Sequence, residues 1–534
     1  MAGSTGAAKE PLYLGPARAP ESLPITRGKA FSIVHLCHRL VQLLNFTIQI
    51  DTIFQPETTH HLVRLFPRNS YSAHQMTPTP SPPPPALLLL PPPPPPSSPS
   101  TRLALNSLYH APLSAVLATL AAQSRQTRRP VLLLVAVAAP ILTRDPRRRG
   151  DDDDGTSSVV RWRAAQSLLA GVYSIIAALC AEQGVQADLG SAPTATAGSV
   201  DARVVLVDHE RGRSYRRRAT DESPHHQAYN GTAVLDLAGF ATTVRGPWDK
   251  IFHPSSESGY ELLKAYLLLA EDRQVFKQGQ MVPVPGGISI SPAAGATTTT
   301  TGKEADREVD TQENKSYDTV ILGGTFDHLH PGHKLLLHGT VLLLQLPRPG
   351  QTSSPSTIII GVSGDPMLQN KKFADELESW DTRSRSVLAF LASTLHASPP
   401  GEAAASAAVT PSSYRVERVA AGPSGGPELQ AVYADGAVRV RCTVLEDPFG
   451  PTVDEELIGA ICVSGETRGG GRAVNEKRAA KGWHALDAYE VDVLDTRGIV
   501  EDGGGGREEE DFAAKISSTA IRQQRAEAKA KAQI

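Results

Sequence analysis

An α/β architecture with parallel sheets is the fold class that this sequence predicts, and three observations point to it. Val131–Val137 is an unbroken apolar run, the pattern of a strand buried on both faces. Apolar strand-like runs alternate with longer helix-like stretches, as in a sheet covered by helices. Near residue 320, a strand-like YDTVIL (Tyr317–Leu322) enters two glycines and then a helical stretch, giving a strand–turn–helix unit.

The elements follow in order. Residues 1–30 read as a flexible tail and residues 31–287 as an N-terminal α/β region. Within that region Ile33–Leu44 and Leu103–Gln123 are helix-like, and Val131–Val137 is the buried strand. Ser167–Glu182 follows as a helix, Val204–Asp208 and Ala233–Leu237 as short strands, and Tyr260–Ala270 as a closing helix. Thr77–Ser100 holds 13 of the 42 prolines. Proline fixes φ and lacks a donor, so residues 77–100 are expected to form an extended linker, with Leu87–Leu90 an apolar island inside it. The run RRRGDDDD at 147–154 and the basic cluster Arg211–Arg218 belong on surface loops. Residues 288–316 read as a low-complexity linker and 317–534 as the last domain.

Composition narrows the function classes. The 534 residues carry 53 Lys and Arg against 56 Asp and Glu, a net charge of −3. No global pull towards nucleic acid or an acidic membrane follows, and neither is expected as a partner. Cys37, Cys180, Cys442 and Cys462 are too scattered for a disulfide framework, so a reducing, cytoplasmic setting is expected. The opening MAGSTGAAKEPLYLG lacks the apolar core of a signal peptide. Ala164–Ala181 contains Gln166, Ser167, Tyr173 and Ser174 and reads as a core helix.

The chemistry concentrates in GGTFDHLHPGHKLLL, Gly323–Leu337. Gly323 and Gly324 permit a tight turn and close backbone approach to a bound group. Pro331 and Gly332 open a helix whose free amides and positive dipole end suit a phosphate. His330 and His333 are three residues apart, so their rings share a face, from which they can donate to oxygens as charge builds. His328 adds a third histidine, but Asp327 is the nearest carboxylate and no protein metal site is expected.

The string GGTFDHLHPGH resembles the HxGH signature of the nucleotidyltransferase superfamily, which transfers a nucleotidyl group from ATP or CTP to a phosphate. The resemblance implies a Rossmann-like parallel sheet for the C-terminal domain. EDPFGP (Glu446–Pro451) precedes an expected strand at Leu457–Val463, VSGETRGGGRAVNEKR (Val463–Arg478) follows it, and ISSTAIR (Ile516–Arg522) comes last. In this order the motifs are similar to the eukaryotic type of pantetheine-phosphate adenylyltransferase, a coenzyme A biosynthesis family, from about Tyr317 to Gln524. Glycerol- and choline-phosphate cytidylyltransferases share the first motif but typically carry RTxGISTT, whereas Ala514 and Lys515 precede ISST here.

The resemblance implies adenylyl transfer from ATP to 4'-phosphopantetheine, giving dephospho-coenzyme A and pyrophosphate, with Mg²⁺ on the ATP phosphates held mostly through water. It implies that His333 meets the α-phosphate and His330 the ATP phosphates, with Gly324, Thr325 and Phe326 near the nucleotide. Ser517, Ser518 and Thr519 sit where a loop should become the helix Ala520–Lys531, suited to the β- and γ-phosphates, with Arg522 one turn on. Arg468 and Arg472 flank a glycine run that includes Gly470, expected as a flexible loop closing guanidinium forks on phosphate. Lys371 and Lys372 follow the strand Thr357–Val362, and either one is a candidate to neutralise the acceptor phosphate. Thr325 also faces that phosphate, and Asp447, Phe449 and Gly450 lie along the pantetheine arm. The implied catalytic set is His333, Lys371, Lys372 and Arg472.

Gln345–Ser356, His396–Ser413 and Gly503–Glu510 read as inserted surface loops. Gly302-Lys303 lacks the glycine spacing of a P-loop, so a single activity is expected. Because every motif lies beyond Asp310, the C-terminal domain is expected to fold and act alone. Two other readings remain: a cytidylyltransferase of phosphorylated lipid head groups, and a scaffold in complex with other coenzyme A enzymes.

Overall fold

The computed structural model describes residues 83–93, 101–145, 157–186, 198–215, 230–244, 246–271, 273–287, 314–347, 354–396, 414–423, 425–494 and 517–532. The expected tail, the helix at 33–44, the charge run at 147–154, the stretch at 288–313 and the loops at 397–413 and 503–510 lie outside them. All described residues belong to one unit, Pro80–Ile534.

The N-terminal region runs β1 (Ala86–Leu90), α1 (Thr101–Thr127), β2 (Val131–Ala139), β3 (Leu142–Arg144), β4 (Ser158–Val160), α2 (Trp162–Glu182), β5 (Val200–Asp208), β6 (Leu235–Asp236), α3 (Leu237–Thr243), β7 (Ile251–Pro254), α4 (Glu257–Ala270) and β8 (Met281–Val284). Six of the strands form one sheet in the order β6-β5-β2-β1-β7-β8. Every pairing in it is parallel.

The proline-rich stretch is corrected by this sheet. Ala86–Leu90 is no linker island but an interior strand, buried at all five positions and paired with β2 and β7. The prolines flank the strand without entering it, so its ladder donors stay intact. A parallel strand covered on both faces reads as a continuous apolar run, which ALLLL is. The expected strand Ala233–Leu237 shrinks to two residues because Asp236 turns to capping: its side chain accepts from Gly239 N at 2.7 Å and starts α3.

The second sheet contains β9 (Thr319–Gly324), β10 (Ser356–Ser363), β11 (Arg415–Val419), β12 (Glu428–Tyr433), β13 (Val438–Leu445), β14 (Ala460–Val463) and β15 (Asp487–Glu490). Their order is β11-β12-β13-β10-β9-β14-β15, parallel from β13 to β15 and antiparallel at the β11–β12 end. Among the described residues, four helices accompany it: α5 (Pro331–Val341), α6 (Trp380–Thr394), α7 (Arg468–Ala480) and α8 (Ser518–Ala532).

The two sheets share one apolar core, which runs from Leu88 and Val135 through Ile176 to Leu337 and Ile360. Trp162 Nε1 donates to the Gly339 carbonyl of α5 at 2.8 Å, and Leu346 N donates to the Gly231 carbonyl at 2.9 Å. The expected self-contained last domain is therefore joined to the N-terminal region by a buried face. Among the described residues, two helices, Arg102–Thr127 and Trp162–Glu182, are long and apolar enough to cross a membrane by length and composition. In α2 that apolar surface is spent on the shared core.

Candidate functional site

Strands β13, β10, β9 and β14 are adjacent and parallel, so the loops after them emerge at one edge of the sheet. These loops carry the EDPFG, lysine, histidine and GETRGGGR motifs, respectively. From β9 the chain passes to β10 on one side and later to β14 on the other, the strand-order reversal at which α/β sheets open a crevice.

The histidine loop is strained and heavily supported. Phe326 and His328 adopt left-handed φ values of 51° and 49°, uncommon for residues with a Cβ. Asp327 sits fully buried between them. Its Oδ2 accepts from Arg522 Nη1 at 2.6 Å and its Oδ1 from Glu378 N at 3.0 Å. Glu378 Oε2 in turn accepts from His328 N at 3.1 Å, and His328 Nε2 lies 2.9 Å from the Glu376 carbonyl. Arg383, fully buried on α6, donates to the carbonyls of Thr325 (2.6 Å), Ser363 (2.9 Å) and Glu378 (2.9 Å). Ser518 Oγ donates to the Asp327 carbonyl at 2.8 Å, which docks the start of α8 on the same loop. Such over-determination is what lets a strained loop persist.

His330 caps α5 in an extended conformation, with Pro331 at the first helical position. The rings of His330 and His333 stack with centroids 3.9 Å apart, and Phe326 lies 5.4 Å from His333. Gly332 makes room: a Cβ there would stand 3.1 Å from His330 Cε1. Burial pushes His333 down to about 4, opposed in part by the Asp327 carboxylate. Burial, with the neighbouring His333 and Lys334, holds His330 well below the usual histidine range. Both rings are therefore neutral at pH 7, each with one N–H and one lone pair, and the His333 ring is also bonded to the His328 backbone. Their buried Nδ1 atoms have no hydrogen-bond partner in the protein.

The remaining expected residues take distinct places. Lys371 and Lys372 are exposed after β10, and the Lys372 carbonyl accepts from Arg522 Nε at 2.9 Å. Arg522, 2% exposed, also reaches Thr519 Oγ1 at 3.1 Å, so its guanidinium is engaged within the protein. Ser517 Oγ accepts from Ala520 N at 3.2 Å, capping α8. Asp447 Oδ1 accepts from Phe449 N (2.6 Å) and Gly450 N (3.0 Å), and these amides hold its carboxyl below the usual range. Lys477 Nζ stands 3.7 Å over the Phe449 ring. Gly450 needs its missing side chain: φ is +45°, and a Cβ would fall 2.3 Å from Leu445.

The segment from Arg468 to Arg472 departs from expectation. It is the opening of α7, not a flexible loop, and Gly470 lies in its first turn. Tertiary anchoring overrides the glycines' weak helix propensity. Val474 is buried, and Arg478 donates to the carbonyls of Thr452, Glu456 and His484. Arg468 donates from Nε and Nη2 to the Glu490 carboxylate at 2.5 Å, while Arg472 is exposed.

Glu378 and Arg383 have no part in the motif reading. The available signal was Ser379 with Thr382, a helix start: Ser379 Oγ accepts from Thr382 N at 3.2 Å. Asp327, His328 and Glu378 bring ligand atoms within 4.8 Å of one another, the one such group among the described residues. The Asp327 oxygens are taken by Arg522 and a backbone amide, so the group reads as the hydrogen-bonded frame of the loop.

Comparison with known proteins gives three findings. Residues 76–290 match a family model described as a domain of unknown function, DUF8446. A phosphopantetheine adenylyltransferase of Saccharomyces cerevisiae is 29% identical over 211 residues, covering 40% of this chain and 50% of its own length. One from Methanothermobacter thermautotrophicus is 27% identical over 208 residues, covering 39% of this chain and 85% of its own. This chain is a distant relative of proteins so named. It spans about half the length of the yeast relative. A solved structure of a protein with unknown function from Archaeoglobus fulgidus covers 33% of this chain and 89% of its own, at 21% identity and a TM-score of 0.21.

Proposed function

We propose that the chain transfers the adenylyl group of ATP to the phosphate of 4'-phosphopantetheine, giving dephospho-coenzyme A and pyrophosphate. The observation that carries this reading is the pair of stacked neutral histidines at the amino end of α5, on the edge where the four motif loops emerge. The distant relatives named phosphopantetheine adenylyltransferase support the choice of acceptor.

In this reading an acceptor phosphate oxygen attacks the α-phosphorus of ATP in line. A new P–O bond forms as the bond to pyrophosphate breaks, and no side chain acts as nucleophile. The protein's work is positioning and charge stabilisation. His333 turns its N–H from the His328 backbone to the α-phosphate as negative charge builds, and its neutrality leaves a lone pair on the other nitrogen. His330 serves the neighbouring phosphate oxygens. Gly324, Thr325 and Phe326 offer backbone beside the nucleotide, and Ser517, Ser518 and Thr519 offer the amino end of α8 to the β- and γ-phosphates. Lys371 or Lys372 neutralises the acceptor phosphate, and Asp447, Phe449 and Gly450 line the path of the pantetheine arm. Arg472 and Arg468 close from α7, the latter by exchanging Glu490 for phosphate. Bound with ATP, Mg²⁺ would supply charge neutralisation to the triphosphate.

The test is pyrophosphate release by the purified full chain with ATP and 4'-phosphopantetheine, run beside CTP with glycerol phosphate and choline phosphate. Turnover with the first pair alone supports the reading. Turnover only with CTP and a head-group phosphate gives the cytidylyl alternative, and release from no pair overturns both.

A further inference from the structure

A buried ion-pair chain between the two sheets has no role in the reading above, and only Lys334 of it falls within a motif string. Lys334 directly follows His333 on α5, and its ammonium enters the N-terminal region. There Nζ donates to Asp201 Oδ1 at 2.6 Å and to the Ala202 carbonyl at 3.1 Å, with both charged side chains 3% exposed. Asp201 Oδ2 accepts from Arg203 Nε at 2.6 Å. Arg203 Nη1 continues to the Ala389 carbonyl (2.6 Å) and Ser393 Oγ (2.8 Å), both on α6. That helix also carries Arg383, which holds the Thr325 and Ser363 carbonyls. One carboxylate on β5 thus grips α5 directly and α6 through a single arginine.

Burial alone would push the Asp201 carboxyl up, but Arg203 and Lys334 hold it at about 2, so the pair stays charged at neutral pH. A buried pair of this kind is a poor device for stability, because apolar residues of similar volume often serve as well or better. What it supplies is direction: two short, charge-assisted bonds from one fixed strand. Helix α5 presents His330 and His333 at its first turn, so a slide or rotation of α5 moves both rings. Misplacement by about 1 Å can cost on the order of 10² in rate.

We propose that Asp201 is a positioning residue of the site: through Lys334 and Arg203 it sets the place of α5 and α6, and so of His330 and His333, without touching substrate. The DUF8446-matching region is then a working part of the transferase. The kinetic side of this proposal rests on the adenylyl-transfer reading; the structural side does not.

The experiment compares the full-length wild type with Asp201→Asn, Asp201→Glu and the double variant Asp201→Asn/Lys334→Met. Each is followed by kcat and KM per folded protein, by Tm, and by the ring NMR signals of His330 and His333 in histidine-labelled protein. Asp201→Asn is expected to lower kcat at least about tenfold with KM for both substrates within about threefold, and to shift the ring signals. Asp201→Glu, which keeps the charge, is expected to recover part of kcat. The double variant removes the buried Lys334 ammonium together with the carboxylate and leaves only the part-exposed Arg203 guanidinium, still bonded to α6, so it keeps the test open where the single variant folds poorly. It is expected to regain Tm while kcat stays low. Recovery of kcat together with Tm, or unchanged ring signals in a variant of normal kcat, overturns the positioning role. If the wild type itself transfers no adenylyl group, the earlier reading falls, and the ring signals decide this one: shifted at both rings in Asp201→Asn, which keeps Lys334, they support it, unchanged they overturn it.

Discussion

At the scale of single residues, the candidate site divides into the motif residues proposed to meet substrate and the groups that hold their loops in place. The first kind was legible. His330 and His333 announce themselves by spacing and Gly332 as part of a helix start, whereas the room Gly332 leaves for the His330 ring shows only in the structure. The second kind was not. Arg383 and Glu378 are 50 or more residues further along the chain than the loop they support, and nothing local marks an arginine that will be buried under three carbonyls. Arg522 was legible as a cation, but its engagement with Asp327 depends on a contact 195 positions apart in sequence. A prediction belongs here. His333→Ala is expected to lower kcat by roughly 10²–10³, the usual cost of losing one donor aimed at developing charge. ATP affinity, measured separately by equilibrium binding, should change little, since the bond strengthens in the transition state. An affinity loss as large as the rate loss would make His333 a ground-state ligand.

At the scale of elements, the sequence was most readable where period and length agreed. Helices α2 and α4 and strands β2, β9 and β10 appear within a few residues of their expected places. It was least readable where neighbours outside the segment decide. β1 is five residues between prolines, and only pairing with β2 and β7 makes it a strand. β7 and β8 are four residues each, IFHP and MVPV, too short for a period to show. The opening of α7 contains three glycines that argue for a loop, and the anchoring of Arg478 overrules them. The lysine loop after β10 carries the prediction at this scale. A doubly charged acceptor brought beside a triphosphate needs a cation between them. Lys371→Ala and Lys372→Ala, made separately, should divide: one loses at least about tenfold in kcat/KM for 4'-phosphopantetheine, a change of about 1.4 kcal/mol, while ATP binding persists. Normal rates in both, and in the double variant, would place the acceptor phosphate elsewhere.

At the scale of the whole molecule, the linker between the two α/β regions gave no hint that they share a core, because a shared face looks in sequence like any amphipathic helix. Histidines reveal the face in the structure. His338 on α5 and His396 just past α6 line a small interior space with Val205, Leu206, Ala233 and Val234 of the N-terminal region. His396 Nε2 lies 3.2 Å from the Ala233 carbonyl. Burial pushes His338 down to about 3 and His396 to about 4, with like charge between them adding to the shift at His338. Unfolded, each would titrate near 6.5. Between those values the unfolded chain binds protons that the folded chain refuses, so stability falls as pH drops from about 6.5 towards about 4 and is undiminished above that window. The measurement is Tm against pH from 7.5 to 4 for the full chain and for His396→Gln, which can keep a donor for the Ala233 carbonyl but cannot titrate. The variant should show a shallower fall of Tm over the acid window with little change at pH 7.5. An equal slope in both proteins would mean that His396 takes up its proton in the folded state as readily as in the unfolded one, and that this face does not exclude water from the ring.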